Sequence, residues 1–77
     1  MKRNHMEERY KIQSSFLGII VTYVAANKRL GLMIGGRIYY YYGVTRNKLT
    51  RFLKAESKGR YFGKYIKGQY KTRRYTL

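Results

Sequence analysis

The sequence predicts a small α+β domain: a three-stranded antiparallel meander, with the C-terminal tail available as an extra edge strand, packed against two short helices. Three observations carry this expectation. β-branched and aromatic runs separated by turn residues fill the first half of the chain. The hydrophobic period changes from two to the i, i+3, i+4 stripe of a helix in the second half. The 77 residues, with no Cys, suffice for one domain whose core is built without disulfides.

Met1 to Gln13 is polar and mixed in charge, and reads as a flexible N-terminal arm with at most one helical turn. Leu17 to Val24 is rich in Ile, Val, Thr and Tyr and reads as the first strand. Ala25 to Arg29 suits a turn. Leu30, Leu32 and Ile34 alternate with Gly31 and Met33, which gives the second strand one apolar face. Gly35-Gly36 is a two-residue hairpin signal, because both residues tolerate positive φ. Arg37 to Tyr42 is the third strand. Thr45 is a candidate N-cap for a helix carrying Leu49, Phe52 and Leu53, and Ser57 caps a second helix with Tyr61, Phe62, Tyr65 and Ile66. Gly68 ends that helix. Gln69 to Leu77 either returns as an edge strand or stays mobile.

Charge separates the function classes most sharply. Eighteen Lys and Arg face three acids, a formal net charge of +15. Domains of this size usually carry a net charge of magnitude about 2–8. A surplus this large calls for an anionic partner: a nucleic-acid backbone, an acidic protein surface or an anionic membrane. Chemistry is poorly provided for. The acids are Glu7, Glu8 and Glu56, the sole histidine is His5, and Glu7, Glu8 and His5 all fall in the arm, where nothing local positions them for acid–base work. Neither a metal centre nor a cofactor is expected, and no glycine spacing matches a phosphate-binding loop. The apolar run from Phe16 to Ala26 is too short to span a bilayer. A non-enzymatic, monomeric, cytoplasmic protein is the expectation.

The candidate binding residues gather late in the chain. Arg46, Lys48, Arg51, Lys54, Lys58, Arg60, Lys64, Lys67, Lys71, Arg73 and Arg74 have only Glu56 among them, and are expected on one exterior patch. Each phosphate they neutralise releases counterions, so duplex binding should weaken with salt at a slope of about −0.9 per contact. Alternation along the third strand sends Tyr39 and Tyr41 to one face and Tyr40 and Tyr42 to the other. Tyr40 and Tyr42 either present an exposed platform for unpaired bases or pack on the N-terminal strand or the tail.

The stretch from Tyr39 to Tyr70 carries a resemblance. Tyr39-x-Tyr41 followed by Val44, the helix pair Phe52-Leu53, and Ser57-Lys58-Gly59-x-Tyr61-Phe62 followed by Ile66-x-Gly68-x-Tyr70 are similar to the KTSC domain. That module occurs at the C-terminus of some lysyl-tRNA synthetases and as free-standing bacterial and phage proteins. Ser14 and Ser15 before the first strand fit the same pattern. Gly35-Gly36 stands where the family commonly has an Asn-Gly turn, and Thr45 where it often has Pro. The resemblance implies a KTSC-like domain over residues 14–70, flanked by the 1–13 arm and a 71–77 basic tail, with Tyr39 and Tyr41 packed beneath the helices. It implies no established activity, although RNA binding has been supposed for the family.

The leading expectation is a binding module that grips RNA or DNA phosphates largely without sequence specificity. A second is a phage-type transcription regulator that docks on an acidic surface of host RNA polymerase. A third is a membrane-surface polycation, which the helices disfavour because they spend their apolar faces on the sheet.

Overall fold

The computed structural model describes residues 6–13 and 20–76. The order of elements is β1 (Glu7–Lys11), β2 (Ile20–Val24), β3 (Arg29–Ile34), β4 (Arg37–Tyr42), α1 (Arg46–Lys54), α2 (Lys58–Tyr65) and β5 (Lys71–Thr76). The strands form one sheet in the order β1-β2-β3-β4-β5, antiparallel throughout. The expected meander is its centre, β2 to β4. The sheet has five strands rather than three, because both chain ends add one. The tail takes the edge-strand alternative. The arm forms β1 over Glu7–Lys11 instead of a loose segment. His5, Ser14, Ser15, the expected start of the first strand at Leu17 and the terminal Leu77 lie outside the described residues.

Local chemistry explains the connections. Gly35 and Gly36 both have positive φ (58° and 78°), the geometry that lets a two-residue turn follow the strand twist. Ala25–Asn27 makes a short 3-10 turn closed by Lys28. The Lys28 carbonyl accepts from the Gly43 and Val44 amides, each at 3.0 Å, and so ties the β2–β3 corner to the end of β4. Thr45 Oγ1 accepts from the Lys48 amide at 3.2 Å and caps α1; Ser57 Oγ accepts from the Arg60 amide at 3.3 Å and caps α2. Both N-caps stand where the sequence places them.

The register defines two sheet faces. Val21, Tyr23, Leu30, Leu32 and Tyr41 point to one of them and are buried with Leu49 and Phe52 of α1, Phe62 of α2 and the following Ile66. Tyr39 is half-buried on the same face. Each fully buried side chain of this kind contributes about 1.5–3 kcal/mol. The Tyr41 ring meets Phe62 edge-on at 5.6 Å, which fixes α2 against β4. The Tyr23 hydroxyl, buried, donates to the Val44 carbonyl at 2.6 Å and satisfies the backbone where β4 turns into α1. The helices thus cover one face of the sheet.

β1 belongs to the same design. Glu8, Tyr10 and Ile12 point toward the helix side, and Ile12 is buried. Glu8 grips Arg46 of α1 through two hydrogen bonds (2.6 and 2.9 Å) and accepts a further one from the Tyr10 hydroxyl. The edge strand is therefore pinned to the helix layer by a contact between residues 38 apart in the chain.

Candidate functional site

The candidate cations divide between two layers instead of gathering on one patch. Arg46, Lys48, Arg51, Lys54, Lys58, Arg60, Lys64 and Lys67 belong to the helices and the turn after them, whereas Lys71, Arg73 and Arg74 lie on β5. β5 splits again by register. Lys71 pairs with Tyr42 and Arg73 with Tyr40, on the face without helices; Arg74 pairs with Tyr39, on the face the helices share.

Among the described residues, most of these charges have no acidic side chain within ion-pair distance. Among the described residues the ion pairs are Arg9 with Glu7 (3.4 Å), Arg29 with Glu7 (3.5 Å) and Arg46 with Glu8 (2.6 Å). All use β1. Glu7 and Glu8, which the sequence leaves unplaced, are held there by cations from other elements. The Arg46 guanidinium holds the Glu8 carboxyl at a pKa of about 2, and the Tyr10 hydroxyl adds to the effect. Glu8 in turn raises the pKa of Arg46. Arg46 also lies over the Tyr23 ring at 5.2 Å, so of the candidates it is the one most committed to the fold. On the helices, the Lys48 and Lys64 ammonium groups approach the exposed Tyr65 ring at 5.2 and 5.4 Å. Lys58 donates to the Ala55 carbonyl at 3.0 Å. Arg51, Lys54, Arg60, Lys64 and Lys67 are exposed.

Tyr40 and Tyr42 point to the face opposite the helices, and both are half-buried. Gly31 is paired with Tyr40, and a Cβ on Gly31 would come within 3.0 Å of the Tyr40 ring and 2.3 Å of Thr22 Oγ1. The missing side chain lets that ring lie against the sheet. Arg29 stacks over it at 4.2 Å, and Tyr75 meets it edge-on at 5.7 Å. Tyr40 is therefore packed against the tail and Arg29, one of the two alternatives the sequence leaves open. Tyr42 lines a hollow of about 420 Å³ with Lys71, Arg73 and Tyr75.

This second face carries residues that sequence reasoning did not select. Register places Arg9, Thr22, Gly31, Tyr40 and Arg73 in one row across all five strands. Lys11 with Ile20, and Met33 with Ile38 and Tyr75, extend the next row. Ile20 (46% exposed), Met33 (40%) and Tyr75 (50%) stand out on it. An apolar groove of about 170 Å³ runs between Ile20, Met33, Ile38 and Tyr40. Strand alternation in Lys71-Thr72-Arg73-Arg74-Tyr75 was the available signal for Tyr75, but it acquires meaning only once β5 is known to pair with β4.

Among the described residues no group of three or more His, Cys, Asp or Glu side chains is placed to hold a metal ion, and no helix is long and apolar enough to cross a membrane.

Comparison with known proteins locates the fold. The family model described as the KTSC domain matches residues 19–70. The crystal structure of a KTSC domain protein from Yersinia pestis superimposes with a TM-score of 0.80 and 31% sequence identity, over 87% of this chain and 94% of that one. No curated protein matches the chain. The matched span runs from the first central strand to the end of the helices, and β1 and β5 lie beyond it.

Proposed function

The chain belongs to the KTSC domain family, and from that premise we propose that it is a non-enzymatic module that binds the phosphate backbone of RNA or DNA largely without sequence specificity. One observation carries the reading. With a formal charge of +15, the acids of β1 are engaged by Arg9, Arg29 and Arg46, which leaves the other cations of α1 and those of α2 and β5 with Glu56 as the one acid in their stretch. Uncompensated Lys and Arg side chains raise the local concentration of polyanions and gain affinity from released counterions. Phosphate contacts of this kind carry no sequence information by themselves.

The test is a shift assay with labelled RNA and DNA and nuclease-treated protein at low salt. The module retards both, and Arg51→Glu combined with Lys54→Glu weakens retardation of both. These side chains are exposed, so the double variant keeps the fold. Absence of any shift by the wild-type protein at low salt contradicts the reading.

A further inference from the structure

β5 poses a question of energetics. All six of its residues are exposed, so its side chains add almost nothing to the core. What the strand does contribute is a column of Lys71, Arg73 and Tyr75 beside Tyr42 and Tyr40 of β4, on the face that no helix covers. The aromatic ring on this column is open and oriented: Tyr75 is half exposed, and its edge contact with Tyr40 holds it in place. Tyr40 is itself locked between Gly31 and Arg29. A ring held in position loses little freedom on binding.

Charge and shape select the occupant. Arg9, Lys11, Lys71 and Arg73 point to this face with Glu7 as the one acid among the described residues there. A run of acidic side chains would satisfy the cations but offers no planar group to the Tyr75 ring in the hollow it shares with Tyr42, Lys71 and Arg73. A duplex offers phosphates while its bases stay stacked on each other. Unpaired nucleotides use both, because every base has a π-face to lay on an aromatic side chain while its phosphate meets a cation.

We infer that the helix-free face at β4 and β5 is a binding site for single-stranded nucleic acid, with a base stacked on Tyr75 and phosphates held by Lys71 and Arg73. This rests on the nucleic-acid reading above and adds to it a strandedness and a place.

The experiment is fluorescence anisotropy with a labelled single-stranded RNA of mixed sequence and a duplex of the same sequence, at fixed low salt. The single strand binds more tightly than the duplex. Tyr75→Ala weakens single-strand binding about tenfold and leaves duplex binding unchanged, as expected for loss of one stacking platform. Tyr75→Phe keeps the ring and restores the wild-type affinity. Lys71→Glu with Arg73→Glu weakens single-strand binding more than Arg51→Glu with Lys54→Glu does. Overlaid amide NMR spectra check that β5 stays paired in each variant. Equal binding of single strand and duplex, with Tyr75→Ala affecting neither, overturns this site while leaving the general phosphate reading intact. Failure of the wild-type protein to bind either probe overturns both. Displacement of the RNA by poly-glutamate at equal charge concentration, indifferent to Tyr75, overturns the site in favour of an acidic protein partner.

Discussion

Tyr39 and Tyr41 on one side of β4, and Tyr40 and Tyr42 on the other, are four copies of one residue in an unbroken run. Tyr41 is 3% exposed against Phe62, and burial, with a smaller contribution from Tyr39, pushes its phenol up to about 12. Tyr40, one residue earlier, rests over a glycine with an arginine above it and an exposed tyrosine beside it. Period-two alternation alone produces this division. The helix-covered side is specified by apolar area, whereas the bare side is specified by which strand lies next to which. The first kind of information is local and dense; the second exists only in the assembled sheet.

Substitutions on the two faces should have unequal costs. Tyr41→Ala should lower stability by about 3–5 kcal/mol, the range for truncating a buried aromatic, whereas Tyr75→Ala should stay within about 0.5 kcal/mol. Urea denaturation measures both, and similar losses would erase the asymmetry. Gly31→Ala should cost about 1–3 kcal/mol by overpacking, since the new methyl meets Thr22 Oγ1 and the Tyr40 ring. Adding Thr22→Ala should recover part of that loss; no recovery would place the strain elsewhere. Tyr23→Phe removes the hydrogen bond that satisfies the buried Val44 carbonyl and should cost about 1–1.5 kcal/mol in the same assay.

A smaller effect than these core substitutions concerns the pin between β1 and α1. The Glu8 carboxyl sits at about 2, below its ordinary value of 4.5. A depressed folded-state pKa means that the unfolded chain binds the proton more readily as acidity rises. The pair's contribution is therefore complete above the ordinary carboxylate pKa and is lost as pH falls from about 4.5 to about 2. Glu8→Gln should cost no more than about 1 kcal/mol at neutral pH, as partly exposed ion pairs do, and should flatten the acid limb of the stability profile. An unchanged acid limb would show that Glu8 is not the titrating group.

How much could be read in advance follows from the same contrast. The bounds of β4, the Gly35-Gly36 turn and the Thr45 and Ser57 caps obey rules spanning two to four residues, and they stand where the sequence places them. Strand β1 is hard to read locally because Glu-Glu-Arg-Tyr-Lys has weak strand propensity; it forms by pairing along its whole length with β2, and Glu8 meets Arg46 from far along the chain. Strand β5 was ambiguous because Lys-Thr-Arg-Arg-Tyr-Thr offers no apolar face, and it rests on the open edge of β4. The cationic surplus was plain from composition, but its partition between helices and edge strand was not, since charge patterning says nothing about which face a strand turns to its neighbour. The same holds for Tyr75, whose face is fixed only by the pairing of β5 with β4.

In the proposed function, the cations without an acidic partner among the described residues engage nucleic-acid phosphates. The most direct test is the affinity of nuclease-treated protein for a labelled single-stranded RNA between about 50 and 200 mM salt. The logarithm of the binding constant should fall linearly with the logarithm of salt concentration, by about 0.7 for each phosphate engaged. An affinity indifferent to salt, or no binding at the lowest concentration, would contradict it.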